Sequence, residues 1–145
     1  MDFLACKESS SNPIVVVEEN KSRFEVHNKS RKSISKVRVD GCLINDHRER
    51  CDWIIEVEKP GSNPTALEVA MFVELKGCDL DKAVSQLRST LAHTERHYRQ
   101  TLRQCYAVTT RIPRHGVAVS KRCLDFYRET SATLYVKNIK SVVSV

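Results

Sequence analysis

The chemistry this sequence offers is concentrated in Asp52, Glu74 and Lys76, the last two separated by Leu75 at the end of an apolar run, Phe72-Val73-Glu74-Leu75-Lys76. Residues two apart on a strand share a face, so Glu74 and Lys76 are neighbours. Leu67, Val69, Met71, Val73 and Leu75 fill the other face without a break, which predicts a half-buried strand over residues 66–76. Lys59-Pro60-Gly61-Ser62-Asn63-Pro64 is a hairpin loop by its turn residues, and symmetric pairing about Asn63 sets Asp52 opposite Glu74. Directly opposed residues share a face, with Cβ atoms roughly 4.5–5.5 Å apart. The alternation of Trp53, Ile55 and Val57 agrees: these join Val69, Met71 and Val73 in the core and leave Asp52 beside Glu74 and Lys76. A second turn centred near residue 46 carries Asp40 towards the same patch, with Val37 and Val39 assigned to the core.

Two or three carboxylates beside a backbone carbonyl are a hard oxygen donor set, suited to Mg²⁺ or Mn²⁺ rather than zinc. Such an ion polarises a phosphoryl oxygen and makes a bound water more acidic. A lysine next to that cluster can orient the water and offset charge that builds up in the transition state. These are the parts needed to hydrolyse a phosphodiester. On a bare strand face, by contrast, Glu74 and Lys76 would be an exposed ion pair of little consequence. Asp52 and Asp40 on the same face turn that pair into an acidic cluster whose repulsion calls for a cation.

The elements that must position these residues follow from periodicity. Residues 34–44, 51–58 and 66–76 predict a three-strand antiparallel meander. Gly77 ends it, Asp79 caps a helix, and Leu80, Val84, Leu87, Leu91, Tyr98 and Leu102 extend that helix to about residue 102. A buried strand over 104–111, a helix over 117–130 with Val119, Cys123 and Phe126 inside, and a last strand or two over 133–143 complete the order. Residues 14–17 and 23–27 are short extended segments, and 1–13 reads as a loose N-terminal arm. The expectation is one α/β (α+β) domain over residues 1–145, its core at about 34–143, with a mixed central sheet flanked by helices.

At 145 residues the chain suits a single core. A net charge of +6 favours an anionic partner, nucleic acid first. No stretch is long enough to span a bilayer, and the first residues lack the apolar run of a secretory signal. The six cysteines are scattered, with no CxxC pair; their even count would allow disulfides, but without a secretory signal the chain reads as cytoplasmic with reduced thiols.

Asp52, a hairpin of about twenty residues, then Glu74-Leu75-Lys76 ahead of a helix and a strand resembles the PD-(D/E)XK nuclease superfamily over about residues 34–112. That group includes restriction endonucleases, Holliday-junction resolvases and RecB-like exonucleases. The resemblance implies a restriction endonuclease-like fold. It further implies that Asp52 and Glu74 ligate Mg²⁺ or Mn²⁺, that the Leu75 carbonyl assists, and that Lys76 positions the attacking water. A further acid, often on a helix before the meander, would here come from Glu18, Glu19, Glu25 or Asp40. Cys51 stands where the motif's name has proline. Gln86 matches a glutamine of the RecB-like branch, whereas Thr90 stands where that branch usually shows tyrosine.

Lys36, Arg38, Gln86 and Arg111 are the candidate nucleic-acid contacts, DNA ahead of RNA, and a homodimer would supply two sites for two strands. Glu56, Glu58 and Glu68 read as solvent-facing strand charges, and His93 and His97 as one polar helix face. Two other classes stay open: a nuclease fold without catalysis that binds nucleic acid or protein, and an adaptor with a coincidental charge cluster.

Overall fold

The computed structural model describes residues 1–19, 21–62, 65–75, 79–110 and 116–145. Strands β4 (Ile34–Arg38), β5 (Trp53–Glu58) and β6 (Leu67–Leu75) form the expected antiparallel meander. Helix α1 (Leu80–His93) then leads to β7 (Arg103–Thr109), parallel to β6, and α2 (Gly116–Thr130) leads to β8 (Thr133–Asn138), parallel to β7. Strand β1 (Lys7–Ser10) joins the outer edge of β4, completing a six-stranded mixed sheet ordered β1-β4-β5-β6-β7-β8. The N-terminal residues are therefore not a loose arm. Strands β2 (Ile14–Glu19), β3 (Ser22–His27) and β9 (Lys140–Ser144) make a second sheet, in which β3 runs antiparallel to β2 and parallel to β9.

The second sheet changes what the alternation in β6 means. Val69, Met71, Val73 and Leu75 pack with Ile55, Val57, Phe24 and Val26 between the two sheets. The opposite face, predicted to be charged and solvated, carries Ala70 and Phe72 into a second core under α1 and α2. Both faces are covered, and from Val69 to Leu75 every residue of β6 is buried. Burying one large apolar side chain such as Phe72 contributes about 1.5–3 kcal/mol, so helix packing rather than solvation governs this face.

Asp79 caps α1 as expected, accepting from the Lys82 amide at 3.0 Å. Leu80, Ala83, Val84, Leu87 and Leu91 then follow the helical period into the core. The helix stops at His93 rather than near residue 102. Thr94 folds back on Thr90, its hydroxyl donating to the Thr90 carbonyl at 2.7 Å. Tyr98 reaches the core from the turns that follow, edge-on to Phe72, while Leu102 is exposed. A 3.6-residue spacing thus continued by coincidence past the real end of the helix. In α2, Phe126 is fully buried and Val119 and Cys123 pack beside it, as their spacing predicts.

Cys6 and Cys42 form a disulfide, contrary to the expectation of reduced thiols. Cys51 and Cys105 are buried and free, and Cys123 is free and half-buried. Among the described residues no helix is long and apolar enough to cross a membrane.

Candidate active site

Asp52 immediately precedes β5. The pairs Ile54↔Phe72 and Trp53↔Val73 continue one step to Asp52 and Glu74, the pairing expected from the loop centre. Main-chain bonds hold this end of the hairpin: the Asp52 amide donates to the Val73 carbonyl (3.1 Å), and the Leu75 amide donates to Asp52 Oδ2 (2.8 Å). Both acids are buried, Asp52 at 2% and Glu74 at 0% exposure. Buried carboxylates need hydrogen bonds or cations around them, and α1 supplies one. In the amide orientation that matches donors to acceptors, the Gln86 nitrogen donates to Glu74 Oε2 at 2.7 Å. Gln86 is itself buried, so it props a site carboxylate instead of reaching for nucleic acid.

One turn further along α1, Thr90 Oγ1 accepts from the Cys51 amide at 2.8 Å and donates to the Gln86 carbonyl at 2.9 Å. Thr90 therefore anchors the backbone that delivers Asp52. Burial pushes the Cys51 thiol well up, so it stays protonated beside the acids.

Asp40 does not join them. β4 pairs one residue out of the expected register, with Val37 opposite Ile54 and Arg38 opposite Trp53. Val37 and Val39 thereby enter the core under α1, on the face of Phe72, rather than the core between the sheets. The chain turns after Val39, and Arg50 Nε holds the Asp40 carboxylate at 3.0 Å. The same register sets Lys36 opposite Ile55 and Arg38 opposite Trp53, on the other face of the sheet from Asp52 and Glu74. Glu18, Glu19 and Glu25 belong to the second sheet, which covers that other face. Glu18 and Glu25 pair with Arg23, and Glu25 also meets His27. Lys76 and Arg111 lie outside the described residues.

Glu56 corrects the expectation of a solvent-facing charge. It is 2% exposed, paired with Lys7 Nζ at 2.7 Å, and accepts from the Tyr98 hydroxyl at 2.7 Å. No short-range pattern signals this cluster, because Lys7, Glu56 and Tyr98 come from three distant segments. Glu68 is exposed and pairs with Lys32, as a strand charge should. His93 and His97 do not share a helix face, since α1 ends at His93; His97 stacks on Phe3.

Among the described residues no group of three or more His, Cys, Asp or Glu side chains could hold a metal ion. Mg²⁺ does not need one: it keeps several waters and is commonly bound by one or two carboxylates plus substrate phosphate. Asp52 and Glu74 supply two carboxylates of that kind, each already hydrogen-bonded and at 2% and 0% exposure closed to solvent. No protein-family model, no curated protein and no solved structure matches the chain.

Proposed function

We propose that this protein is a Mg²⁺- or Mn²⁺-dependent nuclease of the PD-(D/E)XK type, hydrolysing phosphodiesters in DNA. The observation that carries the reading is the alignment of Asp52 with Glu74 across the β5–β6 hairpin, at the strand end that leads to Lys76 and α1. The meander followed by α1 and a parallel strand supports this reading, since the motif implies the same order of elements.

A bound divalent ion would supply Lewis-acid polarisation of the phosphate and a more acidic water. The chain's part is to present the Asp52 and Glu74 carboxylates and the Leu75 carbonyl as oxygen donors from a rigid hairpin end. Gln86 and the Leu75 amide fix the carboxylates before substrate arrives, which is the preorganisation that electrostatic catalysis needs. Lys76 orients the attacking water and offsets charge on the phosphoryl oxygens.

Metal-dependent plasmid cleavage tests this. Wild type should nick plasmid with Mn²⁺ or Mg²⁺, and a folded Lys76→Ala protein should be slower by about 10²–10³-fold, the usual effect of losing one preorganised electrostatic group. Equal rates would defeat the assignment of Lys76.

A second reading is the same fold as a non-catalytic binding module. The burial of both acids, with hydrogen bonds already made to Gln86 and Leu75, favours it. Salt-sensitive DNA binding without cleavage under every metal tried would select it.

A further inference from the structure

The Cys6–Cys42 disulfide is connected to the Asp52 backbone by an unbroken series of contacts. The Arg38 amide at the end of β4 donates to the Cys6 carbonyl at 3.0 Å. Cys42 lies in the turn after β4, where its amide donates to the Val39 carbonyl (3.3 Å) and the Ile44 amide donates to the same oxygen (3.0 Å). Gly41 takes a positive φ of 82° there, a conformation suited to glycine, and lets the turn close. At the other side of the turn, the Val39 and Asp40 amides both point at the Asp52 carbonyl, at 3.0 and 3.4 Å. Asp52 is thus positioned from below by β6, from α1 through Cys51, and from the side by a turn that a disulfide fastens to the N-terminal segment.

We propose that Cys6–Cys42 is a redox latch on the Asp52 site. The proposal rests on reading Asp52 and Glu74 as the working pair. Both half-cystines are half-buried rather than sealed in, so a dithiol reductant can reach them. One of its thiolates attacks one sulfur of the pair, forming a mixed disulfide and releasing the other cysteine as a thiolate that takes up a proton. The reductant's second thiol displaces the remaining cysteine, which is also protonated. Two electrons and two protons have passed to the protein, and the reductant leaves as a disulfide. With the bond open, the turn over residues 39–44 keeps an indirect tie to residues 1–6 among the described residues: the Arg38 amide still donates to the Cys6 carbonyl, and the Leu43 amide donates to the Arg38 carbonyl at 3.1 Å. The two amides then release the Asp52 carbonyl in a fraction of molecules, and the site loses preorganisation.

Amide hydrogen exchange on the oxidised and dithiothreitol-reduced full chain tests this, with Mn²⁺ calorimetry on the same samples. Reduction should speed exchange of the Val39 and Asp40 amides by roughly five- to tenfold, as loss of about one net backbone hydrogen bond implies. Amides of β7 should be unaffected, and reoxidation should restore the slow rates. Cys42→Ser should reproduce the reduced pattern, and Cys123→Ser, outside the latch, should not. Unchanged exchange at Val39 and Asp40 on reduction overturns the proposal, whatever the metal does. Faster exchange with weaker Mn²⁺ binding supports it in full. Faster exchange at those amides with no Mn²⁺ binding in either state keeps the coupling between disulfide and turn, and overturns the metal site it was meant to regulate.

Discussion

The Leu75 amide donates to the Asp52 side chain at 2.8 Å, so the acid that would carry charge for chemistry also closes the end of the β5–β6 hairpin. The two roles separate by substitution. Asp52→Ala leaves a buried amide without its acceptor and should cost about 1–3 kcal/mol in urea denaturation. Asp52→Asn keeps an acceptor of the same shape but removes the charge. It should lose less stability than Asp52→Ala and still abolish Mn²⁺ binding by calorimetry. Full Mn²⁺ affinity in Asp52→Asn would remove the acid from the proposed metal site.

The cluster around Glu56 is expected to be structural. Tyr98→Phe deletes one hydroxyl that donates to a buried carboxylate and should lower stability by about 1–3 kcal/mol. Cleavage, measured well below the melting temperature, should be unaffected. A strong loss of activity with full stability would move this cluster into the working site.

Burial holds the His97 imidazole below its ordinary value, against the pull of nearby Glu56 and with help from Lys7. The ring also stacks on Phe3 and meets the edge of Tyr98. The unfolded chain therefore binds the proton more readily than the folded one. Stability from His97 is complete above about pH 6.5 and declines as pH falls below it towards the lowered folded value. Thermal melts from pH 8 to 5 should show a steeper acid-side decline for wild type than for His97→Gln. Parallel profiles would mean that the ring titrates normally.

Nucleic-acid binding should be dominated by phosphate contacts, given the net charge of +6. Fluorescence anisotropy with duplex DNA should give an affinity that falls as salt rises, with a slope of about −0.9 for each phosphate neutralised. Lys36 and Arg38 lie on the sheet face away from Asp52. If DNA lies on the Asp52 face, replacing both with alanine should therefore leave the wild-type slope nearly unchanged. A slope near zero for wild type would favour the adaptor reading. Light scattering on the same samples reports whether the active species is the proposed homodimer.

The pairing of Asp52 with Glu74 was legible in the sequence because two local signals coincide: turn residues that centre the hairpin, and an apolar alternation that a one-residue slip would break. Asp79 as a helix cap and the inner face of α2 were legible for the same reason, since caps and helical periods are short-range patterns. The β4 register was not. Val37 and Val39 have two apolar destinations, and only the presence of both cores decides that they pack under α1 and leave Asp40 to Arg50. Glu56 reads as a surface charge until Lys7 and Tyr98 arrive from distant segments on either side of it in sequence to compensate it. The end of α1 at His93 follows from Tyr98 turning back onto Phe72. The second sheet gains its third strand because β9, from the end of the chain, pairs in parallel with β3. Each of these depends on which distant surfaces are available for burial, and apolar periodicity along a segment reports that a face must be covered without reporting by what.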